Sequence, residues 1–574
     1  MNKKLEKQRH SFSHVLAAAV KKLNPDAKIG IGPAIDNGFY YDFKNISISE
    51  DDFEKLEKEM KKIIKEDLEF EKQVIKKNQA KDLFKDDPYK LELIEDLEDE
   101  EISVYKTGDF VDLCKGPHVK STGDLNPEAF KIDRTSGAYF KGSEDRDMMQ
   151  RIYGLAFESK EDLEDYLQKR EEAKKRDHRK IGKELELFMF DEEVGQGLPL
   201  YLPKGAMLRK LLMDFAMDTY LENGYEIVST PHIANEDLWE TSGHLEHYAE
   251  DMYGPMEVDE KRYRLKPMNC PFHVKMYNSK TRSYRELPKR WAEMGTVYRY
   301  EKSGELHGLT RPRGFTQDDA HIICRGDQLQ NEIMNALKLT KYIYSTLGME
   351  NLIFKLSVRD PEKKEDYFGT DQQWEKAEEA LEEALKNFGQ EEYVRDEGEA
   401  AFYAPKIDID AVDAMGRRWQ LSTIQVDFNV TSRFEMTYIN EEGEEETPFM
   451  VHRALLGSLE RFLGVYIEHT EGDFPVWLTP TQAWIIPISD DQEDYAYKVK
   501  SQLRERGVRV EVEGINETLS KAIRNGQTQK VPYLLVVGGR EQESETVNVR
   551  FKGEEIGEMS VEKLMDDIEE KSKK

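Results

Sequence analysis

"RYEKSGELHGLTRPRGFTQDDAH" (residues 299–321) is the stretch that decides how the centre of this chain is interpreted. Three arginines, two adjacent aspartates and His321 stand within this one short span. Planar guanidinium groups bind phosphate oxygens in pairs, and imidazole is a common metal ligand. Taken alone, however, the stretch is equally consistent with scattered surface arginines.

Two more distant stretches supply chemistry that this one lacks. "KPMNCPFH" (266–273) sets Cys270 among turn-forming residues. "VHRALLGSLERF" (451–462) joins His452 to Arg461 on a helical pattern. Together the three stretches offer one thiolate, two imidazoles and several arginines, which suits a three-ligand zinc with an open position beside a phosphate-binding surface. For any one stretch, a buried cysteine or a surface arginine is the plainer alternative.

The domain organisation follows from the patterns on either side of these stretches. Residues 189–477 alternate helical stretches with β-rich runs such as "RWQLSTIQVDFNV" and hold nearly all of the dense motifs. Residues 1–156 mix helix, strand and turn signals, which predicts an α+β domain, and the charged run 157–188 predicts a linker helix. Residues 478–574 alternate short apolar strands with helical runs, which predicts a small α/β domain with a mainly parallel sheet. We therefore expect a multidomain α/β (α+β) protein.

Composition places the chain among globular proteins of a reducing compartment. Of its 574 residues, 38% are hydrophobic and 35% charged, and no apolar run approaches the roughly 20 residues of a membrane span. The start lacks the apolar core of an export signal. Three cysteines cannot form a disulfide framework, which predicts a cytoplasmic location. The net charge of −31 argues against broad non-specific nucleic-acid binding but leaves room for local basic contacts.

A second candidate site lies near the start of the chain. "RHSFSH" carries His10 and His14 four residues apart, and "DLCKGPH" brings Cys114 and His118 at the same spacing. Residues at i and i+4 share one helix face, and imidazole and thiolate are both zinc ligands. The spacing is also consistent with histidines on a helix face and a buried free cysteine. The residues alone leave a metal site here open.

The motifs "KPMNCP", "LHGLTRPRGFTQDDAH" and "HRALLGSLERF" resemble those of the threonyl-tRNA synthetases, a family of class II aminoacyl-tRNA synthetases. The resemblance runs from "HSFSH" to "VPYLLVVGGRE" in the family's order and covers nearly the whole chain. It implies an N-terminal editing domain, a catalytic domain with an antiparallel class II sheet, and a C-terminal anticodon-binding domain. It also implies a homodimer formed through the region around Pro231.

The reactions implied by the resemblance need ATP, L-threonine and the tRNA for threonine, and no membrane. The first reaction activates threonine to threonyl-adenylate with release of pyrophosphate. The second transfers threonine to the 3′ end of the tRNA, and a separate editing site hydrolyses mischarged seryl-tRNA.

The resemblance implies roles for residues around ATP. Arg299 matches the arginine that contacts the α-phosphate, Glu301 the acid that accepts from the adenine amino group, and Phe315 the adenine-stacking aromatic. Arg311 and Arg461 match the arginines that hold the folded triphosphate. Attack on the α-phosphorus needs positive charge where pyrophosphate develops, and Mg²⁺ bound with ATP would share that task.

Cys270, His321 and His452 match the family's zinc ligands, which hold one zinc ion per subunit. There the zinc takes the amino group and the hydroxyl of threonine. A site that demands a hydroxyl rejects the isosteric valine, whereas an apolar pocket would not separate the two strongly. The resemblance also implies further substrate contacts: Asp319 and Tyr403 at the amine, Met268, Gln317, Lys406 and Gln420 along the pocket, and His244 near the terminal ribose.

Serine passes this selection because it keeps both groups, and a missing methyl is worth only about 1–3 kcal/mol. A second, hydrolytic site is therefore expected, and the family has one in its N-terminal domain. The matching residues are His10, His14, Lys90, Asp112, Cys114 and His118. The family's site works without metal, which argues against zinc at this site. In the last domain, the matches near the anticodon bases are Asn516, Arg524, Glu541 and Arg550.

The chain departs from the family's pattern at a few positions. Phe272 and Ala404 replace glycines beside the active site, so Phe272 could narrow the pocket or shift the loop that carries Cys270. Lys530 stands where some members have arginine and lacks the planar fork. From the resemblance we expect a form of the family that begins at the editing domain and lacks the small ubiquitin-like domain of many bacterial members.

Two alternatives remain open at this point. One is a synthetase paralogue that has lost catalysis and keeps only its tRNA contacts. The other is a synthetase for a different amino acid, although only a hydroxyl-bearing substrate suits the Cys/His/His set.

Overall fold

The computed structural model describes residues 3–143, 145–390, 392–514 and 517–574. The chain forms two compact units, Met1–Glu172 and Ala173–Lys574. None of the described helices combines the length and the apolar composition that a bilayer crossing requires.

The first unit is built from antiparallel sheets and helices. Its helices are α1 (Lys3–Leu23), α2 (Phe53–Lys65), α3 (Lys77–Leu83), α4 (Pro88–Glu95) and most of α5 (Lys160–Lys175). Its strands are β1 (Lys28–Ile29), β2 (Ala34–Ile35), β3 (Gly38–Lys44), β4 (Glu71–Lys76), β5 (Glu101–Thr107), β6 (Phe110–Leu113), β7 (Phe130–Tyr139) and β8 (Met148–Ala156). One sheet has the order β1-β3-β8-β7 with β2 beside β3, and a second has the order β4-β5-β6.

Helix α1 carries the two N-terminal histidines and is held by its apolar side chains. Val15, Leu16 and Val20 are buried, and the ring of Phe12 lies 5.7 Å from that of Phe39 in β3. This spacing of apolar residues is that of one helix face against a core. The packing fixes the rotation of α1 and so the direction of its histidines.

The larger part of the second unit, residues 178–470, alternates helices with strands. Its helices are α6 (His178–Glu184), α7 (Pro203–Glu222), α8 (Glu236–Thr241), α9 (His244–His247), α10 (Cys270–Tyr277), α11 (Leu329–Thr346), α12 (Asp371–Asn387), α13 (Asn429–Arg433) and α14 (Leu459–Thr470). Its strands are β9 (Phe188–Met189), β10 (Leu200–Tyr201), β11 (Glu226–Ile227), β12 (Ile233–Asn235), β13 (Met256–Val258), β14 (Lys261–Leu265), β15 (Lys289–Tyr298), β16 (Gly314–Cys324), β17 (Leu352–Val358), β18 (Val394–Glu397), β19 (Lys406–Val412), β20 (Arg418–Asp427), β21 (Tyr438–Ile439), β22 (Glu445–Glu446) and β23 (Phe449–Ser458).

A large antiparallel sheet forms the centre of this unit, as the sequence predicts. The strand order is β11-β15-β16-β23-β20-β19-β17-β18, and only the two edge strands, β11 and β18, pair in parallel with their neighbours. Side chains of α11, α12 and α14 share a buried core with alternate residues of the inner strands. The opposite face of those strands is left for a cavity.

The C-terminal part has helices α15 (Glu493–Glu505), α16 (Leu519–Thr528), α17 (Gly539–Ser544) and α18 (Val561–Lys571), and strands β24 (Ala483–Pro487), β25 (Val510–Val512), β26 (Tyr533–Val537), β27 (Thr546–Phe551) and β28 (Glu554–Ser560). In the order β25-β24-β26-β27-β28, the first three strands are parallel and the last two antiparallel. The prediction of a mainly parallel sheet is therefore only half right. The two residues between β27 and β28, Lys552 and Gly553, have φ of 45° and 90°, which is the geometry of a tight hairpin turn.

Two further elements differ from the sequence prediction. The segment predicted as one linker helix contains two, α5 and α6, because Asp177 caps α6 by accepting a hydrogen bond from the main-chain N–H of Arg179. His452, predicted on a helical pattern, lies in strand β23, and the helix begins only at Leu459. Strand β23 is buried on both faces, so its sequence lacks the alternation that marks a half-exposed strand.

Candidate functional site

A cavity of about 640 Å³ lies over the central sheet and gathers residues from stretches that are distant in sequence. Among the predicted residues, the following line it: Arg299, Glu301, Arg311, Phe315, Arg461, Met268, Gln317, Asp319, Tyr403, Lys406, Gln420, Cys270, His321 and His452. His244 does not line the cavity directly. Its Nε2 lies 3.0 Å from Sδ of Met268, behind the wall of the cavity.

Strand register brings the candidate metal ligands together. His321 in β16 and His452 in β23 are directly paired across the two strands, and His321 Nε2 lies 3.0 Å from His452 Nδ1. Cys270 is the first residue of α10. One ligand atom from each of the three lies within 4.8 Å of the other two. Sheet pairing thus joins two histidines that are 131 positions apart in sequence.

Buried acceptors fix which nitrogens of these histidines carry protons. Glu293 accepts from His273 Nε2 at 3.3 Å, which leaves His273 Nδ1 to accept, at 2.7 Å, from His321 Nδ1. Asp427 accepts from His452 Nε2 at 2.9 Å. The nitrogens that face each other, His321 Nε2 and His452 Nδ1, are therefore both left with lone pairs. A cation between them would satisfy both.

Burial favours the neutral forms of Cys270 and His321. It raises the pKa of the Cys270 thiol well above its ordinary value and lowers the pKa of His321 well below. Against the effect of burial, hydrogen bonds from His273 and Thr230 lower the pKa of Glu293, so this carboxylate stays an acceptor. One soft sulfur and two imidazoles, each oriented by an outer partner, form a donor set that suits zinc.

Arginines at the other end of the cavity have unsatisfied donors. The Nε atoms of Arg299 and Arg461 are buried and, among the described residues, have no hydrogen-bond partner. Burial and then the charge of Arg311 lower the pKa of Arg461. Arg311 itself is half exposed and forms ion pairs with Glu301 at 2.8 Å and Glu305 at 2.9 Å. This end of the cavity is suited to bind a multiply charged anion.

The adjacent residues Asp318 and Asp319 lie on opposite faces of the sheet, because side chains alternate along β16. They therefore have different roles. Asp319 lines the cavity and accepts from Asn269 Nδ2 at 3.0 Å. Asp318 is fully buried on the other face and accepts from the main-chain N–H groups of residues 455–457, each at 2.9 Å. Burial raises the pKa of Asp318 to about 6. Asp318 therefore supports the end of β23 rather than the substrate.

Asp408 is a buried residue, missed by sequence reasoning, that holds side chains lining the cavity. Its carboxylate accepts from Gln420 Nε2 at 2.7 Å and from Thr423 Oγ1 at 3.0 Å, and it forms an ion pair with Lys406. Two predicted substrate residues are thus held by one buried acid in the same strand as Lys406. Its only sequence signal is the alternation in "KIDIDAV".

The two departures from the family's glycines are accommodated differently. Phe272 does not line the cavity: its ring lies 5.8 Å from the ring of Trp239, and Lys266 Nζ lies 5.6 Å from its centre. Ala404 is fully buried and bridges to Ala401. The predicted narrowing of the pocket by Phe272 is therefore wrong, because the side chain points away from the cavity.

A second site lies in the first unit, where α1 meets the loop after β6. Cys114 Sγ lies 3.3 Å from His10 Nε2 and 3.3 Å from His118 Nε2, and the rings of His14 and His118 are 4.2 Å apart. The four ligand atoms lie within 4.8 Å of one another. Burial raises the pKa of Cys114 to about 11 and lowers the pKa of His14 and His118. The group is neutral at pH 7.

Lys90 and Asp112 join this second site through a residue that the sequence analysis missed. Asp112 forms an ion pair with Lys90 Nζ at 2.5 Å, accepts from Tyr41 Oη at 2.5 Å and lies 3.5 Å from His14 Nε2. Lys90 also donates to Tyr41 Oη at 3.1 Å. Tyr41 stands in the aromatic strand β3, where nothing distinguishes it from a core residue. Neutral imidazoles beside a fixed Lys–Asp pair can orient a water and accept its proton.

The predicted anticodon residues are spread over several elements. Arg524 lies in α16, Glu541 in α17 and Arg550 in β27, whereas Asn516 lies outside the described residues. Glu541 accepts from the main-chain N–H of Gly538, and Arg550 pairs with Glu555 at 2.9 Å. Within the described part of this domain, Arg524, Glu541 and Arg550 share no hydrogen bond with one another.

Family models match three parts of the chain. The class II core domain of tRNA synthetases for G, H, P, S and T matches residues 255–470, and an anticodon binding domain matches residues 482–571. The second additional domain of threonyl- and alanyl-tRNA synthetases matches residues 102–153. The three matches follow the order that the motifs imply.

Relatives match the chain over nearly its whole length. A threonine–tRNA ligase of Borreliella afzelii is 49% identical over 96% of this chain and 94% of that protein. The chloroplastic/mitochondrial threonine–tRNA ligase 2 of Arabidopsis thaliana is 49% identical over 98% and 87%. A solved structure described as the RNA binding domain of threonyl-tRNA synthetase from Cryptosporidium parvum is 40% identical, covers 69% of this chain and 98% of its own, and has a TM-score of 0.66. On this evidence, the chain belongs to the threonine–tRNA ligases, the threonyl-tRNA synthetases of class II.

Proposed function

We propose that this enzyme activates L-threonine with ATP and transfers it to the tRNA for threonine. The observation that carries the proposal is the convergence in one cavity of a Cys/His/His set and of arginines with buried, unpaired donors. An anion-binding end and a metal-ligand end in the same cavity suit a reaction that joins an amino acid to the α-phosphate of ATP. Pyrophosphate is the leaving group.

The metal of this site is proposed to be zinc, held by Cys270, His321 and His452. The facing lone pairs of His321 Nε2 and His452 Nδ1 support this assignment. Glu293, through His273, and Asp427 orient the two rings in this way. When bound, zinc supplies open positions for the amine and hydroxyl of threonine, which valine cannot fill. Asp319 and Tyr403 line the same cavity, where they would hold the substrate ammonium.

The arginines are proposed to bind the phosphates of ATP, which Mg²⁺ accompanies in class II synthetases. Arg299 lies 5.2 Å from the ring centre of Phe315, so the proposed α-phosphate ligand stands beside the proposed adenine-stacking ring. In this structure Arg311, the proposed triphosphate ligand, pairs with Glu301, the proposed adenine ligand. ATP would exchange this pair for contacts with its own phosphates and amino group.

The second site is proposed to hydrolyse seryl-tRNA without metal. His10, His14, Cys114 and His118 would surround the ester, with Lys90 polarising its carbonyl and Asp112 holding Lys90 in place. The neutral imidazoles and the buried Lys90–Asp112 pair support this chemistry. The same four ligands have the spacing to hold a metal, so metal content is a direct test.

Further partners follow from the family and from the surface. We propose a homodimer through the region around Pro231, where Ile227 and Ile233 expose 41% and 44% of their surface. The C-terminal domain is proposed to bind the anticodon through Asn516, Arg524, Glu541 and Arg550. The chain's three free cysteines, which lie outside that domain, support a cytoplasmic location.

The activation proposal is tested by ATP–pyrophosphate exchange with purified enzyme. Threonine should support exchange and valine should not, and Cys270→Ser should reduce exchange by about a hundredfold because it removes a metal ligand. Undiminished exchange with valine would contradict recognition through the hydroxyl. A folded enzyme with no exchange at all would identify the catalytically inactive paralogue instead.

The editing proposal is tested separately by a double variant, His10→Ala with His14→Ala. This enzyme should still charge threonine, because the activation site lies in the other unit. It should also accumulate seryl-tRNA, which the unaltered enzyme clears. Clearance at the unaltered rate would refute the assignment of these histidines.

A further inference from the structure

His178, the first residue of α6, lies outside the cavity and between two carboxylates. One ligand atom each of Asp177, His178 and Glu468 lies within 4.8 Å of the others, a composition that resembles a metal site. Both ring nitrogens are occupied, however. Nδ1 lies 2.6 Å from Glu468 Oε1, and Nε2 accepts from the main-chain N–H of Leu309 at 3.0 Å. Since Nε2 accepts, Nδ1 carries the proton, and no lone pair is left for a metal.

The partner of His178 belongs to the loop between Glu301 and Arg311. Most of this loop is exposed, but Leu309 is fully buried. Gly308 lies directly on the imidazole: its φ is +50°, and a Cβ there would stand 2.2 Å from His178 Nε2. The loop therefore touches a fully buried ring just two residues before Arg311.

Glu468 holds the imidazole of His178 in place. Glu468 accepts from the main-chain N–H of His178 at 3.1 Å and pairs with Arg417. The ring is fully buried, so its orientation is fixed by packing as well as by hydrogen bonds. An unbroken series of buried contacts runs from helix α14 through Glu468 and His178 to the loop.

We propose that His178 is a positioning residue for ATP binding, which holds the loop so that Arg311 meets the terminal phosphates. Arg311 is half exposed and, in this structure, pairs with acids of its own loop, so its side chain has no rigid support. The Leu309–His178 hydrogen bond ties the loop to the buried core two residues before Arg311. Glu468 acts through His178 by fixing the ring. The inference rests on the proposed phosphate-binding role of Arg311.

The matched variants His178→Asn and His178→Gln separate the two hydrogen bonds. Asparagine places an amide donor near the position of Nδ1 and keeps the contact with Glu468, but leaves the Leu309 N–H buried and unpaired. Glutamine places an amide oxygen near the position of Nε2. In threonine-dependent exchange, His178→Asn should raise the KM for ATP about tenfold, with the KM for threonine changed less than about twofold, and His178→Gln should recover most of the loss.

Gly308→Ala disturbs the contact between the loop and His178 from the loop side. It tests the proposal even if the variants of the buried His178 fail to fold. It should raise the KM for ATP, whereas Gly304→Ala in the same loop, where a Cβ meets nothing within 4 Å, should not. Three results would overturn the inference alone: an unchanged KM for ATP in folded His178→Asn, a parallel rise in the KM for threonine, or equal effects of Gly308→Ala and Gly304→Ala. Absence of threonine-dependent exchange in the unaltered enzyme would overturn the proposed function and the inference with it.

Discussion

Single residues carry the chemistry of both sites, and their roles depend on partners far away in sequence. Cys270, His321 and His452 could be predicted as a ligand set because their three motifs together match those of the family, although each motif alone was ambiguous. Glu293 and Asp427, which orient the two histidines, could not. An outer hydrogen-bond partner has no fixed spacing in the sequence from the histidine that it orients. It can be recognised only once the pairing of the strands is known.

The pH dependence of editing is a prediction at this scale. Burial disfavours the charged imidazolium, so the pKa values of His14 and His118 are lowered and both rings stay neutral as the pH falls. An ordinary histidine, with a pKa of about 6.5, would be largely protonated at pH 6. Single-turnover hydrolysis of seryl-tRNA, corrected for spontaneous loss, should therefore change less than about twofold between pH 8 and pH 6. A rate that halves near pH 6.5 would show that an unburied base is responsible.

At the scale of elements, the antiparallel order of the central sheet agrees with what the family resemblance implied. The periodicity of the sequence misled the prediction at three places. Strand β23 was misassigned as helix because it is buried on both faces and so lacks alternation. The helix break at Asp177 depends on a side-chain cap inside a charged run. The antiparallel pair at the end of the C-terminal sheet depends on a two-residue turn. Each error arises where a local contact outweighs the periodicity of the sequence.

The whole molecule divides its two chemical tasks between two units. The first unit holds the neutral His/Cys cluster with its Lys90–Asp112 pair, and the second holds the cavity with the metal-ligand set. The order of these domains was predictable from motifs that span nearly the whole chain. The register that pairs His321 with His452 was not, because it depends on the closure of an entire sheet.

The central claim is that metal serves recognition of threonine and not the removal of serine. Both clusters have ligand atoms within 4.8 Å of one another, so geometry alone permits two metals. The most direct test is the zinc content of the purified enzyme and two variants, measured by elemental analysis after exhaustive dialysis. We predict one zinc per chain in the unaltered enzyme, one in the His10→Ala, His14→Ala double variant, and none in Cys270→Ser. Zinc that persists in Cys270→Ser and disappears from the histidine double variant would contradict the account.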